Sequence, residues 1–92
     1  MANAMGNSCY HPPVTGSAVM SVRPVQCLGV MVTSATAGAT MAIYDSATAA
    51  NVNPIYAAFE VTAGQLIPLP VSTSEGLYIV VTGTVTYTAI FA

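Results

Sequence analysis

The sequence of 92 residues contains very little charge. It has no lysine, one arginine (Arg23) and three carboxylates (Asp45, Glu60 and Glu75), so that 4% of its residues are charged, against about 25% in a typical soluble domain. Nucleic acids and anionic membranes are bound through clusters of lysine and arginine, and the sequence therefore predicts neither as a partner. Disorder is excluded as well, because 54% of the residues are hydrophobic and disordered chains combine low hydrophobicity with high charge.

The shortage of charge also bears on association. Charged side chains normally keep the surface of a small domain soluble and separate from its neighbours. The chain is long enough for one domain only, and a single small domain of this composition is poorly protected against association. We therefore expect much of its surface to be covered by other molecules.

No membrane span and no export signal are expected. The longest charge-free stretch, residues 24–44, contains several threonines, a serine, a glutamine and two glycines, whereas a span needs about 20 predominantly apolar residues. Residues 1–7 have neither a positively charged start nor an apolar run. We therefore expect synthesis in a reducing cytoplasm, where Cys9 and Cys27 remain free thiols.

The residues that could carry chemistry are few and scattered. Cys9 and His11 are two positions apart, but a metal site needs three or four ligands and a nucleophilic Cys/His pair needs a third, orienting group. The three carboxylates fall at predicted turns or strand ends, and no phosphate-binding, dinucleotide-binding or zinc-protease motif is present. We therefore predict a protein that is not an enzyme and that has no metal and no cofactor.

The chain from Ser17 onward has the composition of β-structure. Valine, threonine, tyrosine and isoleucine occur in short runs that glycine, proline and small residues interrupt. This predicts an all-β domain over residues 17–92, a single β-sandwich or flattened barrel of about seven short antiparallel strands. The strands are predicted at residues 18–23, 25–33, 39–45, 55–61, 65–71, 77–81 and 84–91.

The alternation of side chains assigns residues to the two faces of each predicted strand. In the second predicted strand it places Leu28 on one face together with Val30 and Val32. Met31 and Met41 are assigned to the filling of core gaps, because methionine adapts to irregular spaces. The tyrosines are predicted at protein interfaces, where an apolar ring and a wet hydroxyl are both accommodated.

One edge strand and one connection between strands are also predicted. The strand at residues 65–71 is expected at a sheet edge, because its prolines cannot donate to a ladder. Thr82-Gly83 separates the last two strands, and a two-residue connection containing glycine predicts a terminal β-hairpin.

Residues 1–16 differ from the rest of the chain and predict an extended N-terminal arm. They have little apolar periodicity, and Pro12 and Pro13 fix an extended backbone. We predict that Tyr10, His11, Pro12 and Pro13 form a protein interface, since the prolines reduce the entropy lost on binding and Tyr10 offers an apolar anchor. A disordered tail is the alternative, because chain termini are commonly loose.

Three segments of the sequence resemble a known family. They are residues 32–45 (VTSATAGATMAIYD), 64–69 (GQLIPL) and 75–83 (EGLYIVVTG). These segments are similar to small β-sandwich virion proteins of tailed bacteriophages, which include decoration (cement) proteins of the capsid and related head-fibre or adaptor modules. The resemblance covers residues 25–91 and includes no catalytic signature.

The resemblance implies a structural role in the virion. It implies a homotrimer that clamps adjacent major capsid proteins, with residues 1–15 as the candidate for the extended arm of such proteins. The expected partners are then the major capsid protein and copies of the chain itself, and the expected location is the capsid surface. A tail, adaptor or head-fibre module of the virion is the first alternative, and a bacterial surface or pilus-like subunit is the second.

Overall fold

The computed structural model describes residues 9–10 and 12–91. Within these residues the chain forms nine β-strands and no helix. All the strands predicted from residue 18 onward are present with shifted ends, and the all-β prediction is confirmed. The strands are β1 (Cys9–Tyr10), β2 (Val14–Thr15), β3 (Ala18–Ser21), β4 (Cys27–Ala35), β5 (Thr40–Tyr44), β6 (Pro54–Glu60), β7 (Leu66–Pro68), β8 (Leu77–Thr82) and β9 (Val85–Phe91).

The strands form two antiparallel sheets that enclose one apolar core. Sheet A has the order β1/β2–β9–β4–β7, and sheet B has the order β3–β8–β5–β6. β1 and β2 pair with β9 one after the other, so they act as one edge strand that is interrupted at Pro12 and Pro13. The molecule is therefore a β-sandwich with four strand positions in each sheet.

Each strand of sheet A faces the strand of sheet B that is next to it in sequence. Across the sandwich the facing pairs are β2 with β3, β9 with β8, β4 with β5 and β7 with β6. The connections β2–β3 and β8–β9 are two residues long, which forces this alignment. An antiparallel sandwich with this interleaved order is a jelly roll, built from two Greek keys.

The prediction of a terminal β-hairpin is wrong. β8 pairs with β3 and β5 in sheet B, whereas β9 pairs with β1, β2 and β4 in sheet A. The crossing is held by the β4–β5 connection: the Thr84 amide donates to Thr36 Oγ1 (3.1 Å), and the Thr36 amide donates to the Thr84 carbonyl (3.0 Å). These bonds replace the first bonds of a hairpin ladder, and the crossing lets the apolar sides of β8 and β9 pack against each other.

The core lies between the sheets. β9 has the alternation that the sequence predicts, with Val85, Tyr87, Ala89 and Phe91 buried and the intervening residues partly exposed. The assignment of Met41 to the core is confirmed. The largest fully buried side chains are Tyr87, Met41, Ile43, Leu69, Leu77, Ile79, Val30, Val32, Val61, Val85 and Cys27.

The prediction that Leu28 shares a face with Val30 and Val32 is wrong, because β4 contains a bulge. The β4–β9 register shifts between Cys27 and Gly29, so that Leu28 is an extra residue on β4. A bulge interrupts the alternation of side chains. Val30 and Val32 are fully buried as predicted, whereas Leu28 is 45% exposed on the outer side of the sheet.

The core assignment of Met31 is also wrong. Its neighbours in the register are Thr88 on β9 and Leu66 on β7. All three side chains point away from the core, since the adjacent Val30 points into it. Met31 is 37% exposed as a result.

The tyrosines are divided between the core and the surface. Tyr87 is fully buried, and its hydroxyl donates to the Gly16 carbonyl at 2.8 Å. Burial, followed by the effect of Tyr78, raises the pKa of Tyr87. The prediction of an interface position is therefore wrong for Tyr87, which ties β9 to the β2–β3 connection. Tyr56 donates its hydroxyl to the Pro68 carbonyl at 2.7 Å and joins β6 to β7.

Prolines mark the edges of both sheets. The edge strands are β1/β2 and β7 in sheet A and β3 and β6 in sheet B. Pro12 and Pro13 interrupt β1/β2, Pro24 follows β3, Pro54 begins β6 and Pro68 ends β7. The predicted edge position of residues 65–71 is confirmed. Because proline cannot donate to a ladder, these edges are poor templates for the addition of another strand.

One end of the sandwich is packed tightly around Gly76. The β3–β4, β5–β6 and β7–β8 connections lie at this end, and Gly76 belongs to the last of them. A β-carbon on Gly76 would collide with the backbone of Ser21, Ser46 and Ala47. The position therefore requires glycine for reasons of space.

We expect the substitution Gly76→Ala to destabilise the fold by about 2–3 kcal/mol, because a methyl group would be forced against fixed backbone. For a domain of this size, this lowers the melting temperature by roughly 10 °C or more. Gly38→Ala is the matched control: its β-carbon would meet nothing within 4 Å, so only its positive φ is penalised, at about 1 kcal/mol. Thermal unfolding followed by circular dichroism measures both, and equal losses would contradict the packing described here.

Candidate functional site

The described part of residues 1–16 lies at the edge of sheet A, where β1 and β2 pair with β9. Tyr10 pairs with Ile90 through its backbone, and Pro12 and Pro13 are exposed in the break between β1 and β2. His11 lies outside the described residues. β1 and β2 are therefore part of the sandwich, and the extended arm over residues 1–16 stays a prediction. The interface role of these four residues stays a prediction.

Three of the four fully charged side chains lie in connections at one end of the sandwich, and the fourth, Glu60, lies at the end of an edge strand. Arg23, Asp45 and Glu75 belong to the connections that meet near Gly76, and Glu60 is the last residue of β6. The other outward-facing side chains of the described strands are uncharged. Apart from Glu60 at the end of β6, the described parts of both broad faces therefore lack the charges that normally keep a surface apart from its neighbours.

Sheet A has an apolar area on its outer face, which we call the sheet A patch. It consists of Leu28, Met31, Leu66, Pro68 and Ile90. Leu28 is 45%, Met31 37% and Leu66 57% exposed, and Met31 lies directly across the ladder from Leu66. Clustered apolar side chains of this size on adjacent strands are typical of interaction surfaces.

The outer face of sheet B is different. Tyr44 and Tyr78 lie side by side on it, with ring centroids 6.1 Å apart, and Ala42 is only 5% exposed. The remaining large apolar side chains that are exposed in the described chain, Val22 and Val52, lie in loops at the end of the sandwich. The sheet A patch is therefore the stronger candidate for a contact surface.

The Asp45 carboxylate is bound by three consecutive backbone amides. Oδ2 accepts from Ser74 at 2.9 Å, and Oδ1 accepts from Glu75 at 2.8 Å and from Gly76 at 3.3 Å. The side chain thereby joins the β5–β6 connection to the β7–β8 connection. The sequence places Asp45 at a strand end but contains no signal for partners that are 29 to 31 residues away.

The Asp45 side chain therefore holds the β5–β6 and β7–β8 connections together. Burial alone would raise the pKa of Asp45, but the amides of Ser74, Glu75 and Gly76 outweigh it and lower the pKa below its usual value. A carboxylate that stays ionised and occupied by backbone donors is not suited to transfer protons. Asp45 therefore has no acid–base role in the geometry described.

The cysteines are separated by one strand. Cys27 is a buried free thiol, and burial, with the charge of Asp45 second, raises its pKa to about 11. Cys9 and Cys27 pair with Phe91 from opposite sides of β9. Because β9 lies between the two cysteines, their Cα atoms are two strand spacings apart, about 10 Å. The Cα atoms of two cysteines joined by a disulfide lie less than about 7 Å apart.

No metal site is formed by the described part of the chain, in which no group of three or more His, Cys, Asp or Glu side chains could hold an ion. Nor do the described residues include a helix with the length and hydropathy to cross a membrane. No family model, curated protein or solved structure matches the chain. Function is therefore inferred from the surfaces described above and from the resemblance of residues 25–91.

The substitution Asp45→Asn is expected to destabilise the fold by about 1 kcal/mol at neutral pH, because it removes the charge that strengthens three amide bonds at a largely exposed site. The pKa of Asp45 is lower in the folded than in the unfolded chain. The stabilisation is therefore present above the unfolded pKa and is lost as the pH falls through the folded pKa. Urea unfolding between pH 7 and pH 2 should reveal this loss in the natural chain and not in the variant.

Glu75→Gln is the matched control for this experiment, since it removes a neighbouring charge whose side chain has no hydrogen bond to the described residues. It should keep the acid dependence of the natural chain. If Asp45→Asn also kept that dependence, the carboxylate would not be the group that holds the two loops together.

Proposed function

We propose that the chain is a structural virion protein of a bacteriophage, located on the capsid surface, which decorates and stabilises the shell by clamping adjacent major capsid proteins. The observation that carries the proposal is the surface: the described broad faces carry no charge apart from Glu60 at the end of β6, and the sheet A patch exposes three large apolar side chains. A surface of this kind is favourable in water when another protein covers it. The resemblance of residues 25–91 to decoration proteins supplies the class of partner.

The mechanism is a linkage between binding and stability. A protein that binds the assembled shell and not its separated subunits stabilises the shell by its binding free energy. The effect is repeated at every site on the particle. A small sandwich needs only rigidity and contact area for this role, and both are compatible with a chain that has few reactive groups.

Copies of the chain are proposed as partners too, and the resemblance implies a trimer. A net charge of −2 produces little repulsion between copies. An oligomer engages several capsid sites at once, which raises its apparent affinity. Nucleic acid and membranes are not proposed as partners, because the chain has a single arginine and no lysine.

The N-terminal residues contribute from the edge of sheet A. Pro12 and Pro13 are exposed there, between two short strands that are held by β9. Tyr10 lies in β1 and the two prolines restrict the backbone, so little entropy is lost when these residues contact a capsid protein. Tyr10 to Pro13 remain the proposed contact residues.

A pilus-like subunit is the least supported alternative. Pilus subunits complete their sandwich with a strand donated by a neighbour. In the described chain all four positions of each sheet are filled by its own strands. The prolines at the sheet edges also oppose the addition of a further strand.

Reconstitution on capsids of the phage that encodes the chain, prepared without it, tests the proposal. We expect saturable binding with a copy number in simple ratio to the major capsid protein. We also expect decorated capsids to release their DNA at a higher temperature than bare ones, because binding stabilises the assembled state. Binding to tails or connectors alone would assign the chain to the alternative virion module, and binding to no virion part would contradict the proposal.

A truncation that lacks residues 1–13 tests the N-terminal contact. It removes β1 and both prolines and keeps β2 to β9, so we expect a folded sandwich with lower capsid occupancy. A truncation that lacks only residues 1–8 keeps β1 and should bind like the intact chain. If the longer truncation also fills the capsid completely, the clamp lies on a sheet face and residues 10–13 have no anchoring role.

A further inference from the structure

We propose that Met31 is a site of reversible oxidation by peroxides, and that its sulfoxide makes the sheet A patch partly polar while the sandwich stays folded. The modification itself does not depend on the function proposed above, and only its effect on capsid binding rests on that function. The methionines of the described chain are Met20, Met31 and Met41. They differ in the access that a dissolved oxidant has to them.

Exposure to solvent separates Met31 from the other two described methionines. Met31 is 37% exposed, whereas Met20 is 4% and Met41 0% exposed. Met20 and Met41 both belong to the apolar core between the sheets. A peroxide has to touch the sulfur in order to oxidise it, so the two core methionines react only when the fold opens. Met31 is therefore the described methionine that a peroxide reaches in the folded chain.

The residues around Met31 explain why it stays open. Gly29, two positions earlier on the same strand, has no side chain, and the Leu66 side chain leans toward this space. Leu66 Cδ1 lies 3.5 Å from the position that a β-carbon on Gly29 would take. On the other side of Met31 the register partner is Thr88, whose side chain is short. The Met31 thioether thus lies on the outer face of sheet A without a large side chain packed over it.

The chemical step needs a peroxide and no group from the protein. The thioether sulfur donates an electron pair to one oxygen of hydrogen peroxide, an S–O bond forms and the O–O bond breaks. The proton of the attacked oxygen passes to the departing oxygen, which leaves as water. Methionine is oxidised by two electrons and the peroxide is reduced by two. Sulfoxide reductases reverse the change with electrons from thiols.

The folded chain can accommodate the sulfoxide. Thr88 lies directly across the ladder from Met31, and side chains in this relation have β-carbons about 5 Å apart. The Thr88 hydroxyl makes no hydrogen bond to another described residue, so it can donate to the new sulfoxide oxygen. No core residue has to move, and we therefore expect the sandwich to remain folded.

The sulfoxide changes what the patch can bind. A thioether is a weak hydrogen-bond acceptor, whereas a sulfoxide oxygen is a strong one, and Met31 lies among the apolar side chains of Leu28, Leu66 and Ile90. A protein that covers the patch with apolar side chains would have to remove water from this oxygen, which is unfavourable. Oxidation of Met31 should therefore weaken the binding of such a protein.

The first test is the rate at which each methionine is oxidised by hydrogen peroxide in the intact, folded chain. The chain has one arginine and no lysine, so Met31 and Met41 lie on one tryptic fragment and are distinguished by tandem mass spectrometry. We expect Met31 to react at least about tenfold faster than Met20 and Met41. In concentrated urea the three rates should become equal. Equal rates in the folded chain, or a Met31 that stays faster in urea, would overturn the proposal.

The second test compares Met31→Leu, which keeps the patch apolar but cannot be oxidised, with Met41→Leu as the matched control. Peroxide should shorten the retention of the natural chain and of Met41→Leu on a native hydrophobic-interaction column more than that of Met31→Leu. Met1 and Met5 lie outside the described residues and are present in all three proteins, so their effect cancels. Equal changes in retention would overturn the effect on the patch.

Circular dichroism melts check the fold of the oxidised chain. A chain oxidised at Met31, with Met20 and Met41 intact, should melt cooperatively within a few degrees of the natural chain. Loss of the cooperative transition would overturn the claim that the sandwich accommodates the sulfoxide.

Capsid reconstitution tests the effect on binding. The peroxide-treated natural chain should fill fewer capsid sites than the untreated one, and peroxide-treated Met31→Leu should fill more than the treated natural chain. Equal occupancy by the two treated proteins would overturn this effect. If the untreated chain binds no virion part, the proposed function fails, while the oxidation rates and the retention still decide whether Met31 is the site.

Discussion

The antiparallel ladder between β4 and β9 is the interaction on which the rest of the structure depends. It joins residues 27–35 to residues 85–91 at the centre of sheet A, and the other strands of that sheet are added to its two sides. Its inner side supplies Val30, Val32 and Tyr87 to the core. Because the paired residues are at least 50 positions apart in sequence, the ladder closes only when most of the chain is in place, which is typical of slowly folding β-proteins.

The same ladder shapes the surface that the chain offers to other proteins. The register shift in β4 turns Leu28 outward, and the alternation that buries Val30 exposes Met31. The charged side chains lie away from this surface. The Asp45 carboxylate, for example, accepts hydrogen bonds from backbone amides of the connection that contains Gly76. One end of the sandwich is thus complete in itself, while the outer face of sheet A leaves Leu28, Met31 and Leu66 exposed.

Local sequence patterns predict the strands and the edges, but not the strand partners. Alternation identifies β9, and prolines identify β7 as an edge. Thr82-Gly83 has the same local features in a hairpin and in a crossing between sheets, and the choice depends on bonds to Thr36 in a distant connection. The outward turn of Leu28 depends on the register with β9, and the amides bound by Asp45 lie on another loop. Each of these errors concerns an interaction between residues that are far apart in sequence.

Electron cryomicroscopy of the particles of the encoding phage tests the central claim most directly, because it reveals the position of the chain and whatever covers its faces. We predict density for the sandwich on the outside of the shell, with the sheet A patch buried against another protein and Pro12 and Pro13 against the major capsid protein. Particles that carry no such density, or a sandwich whose sheet A patch is open to solvent, would contradict the account.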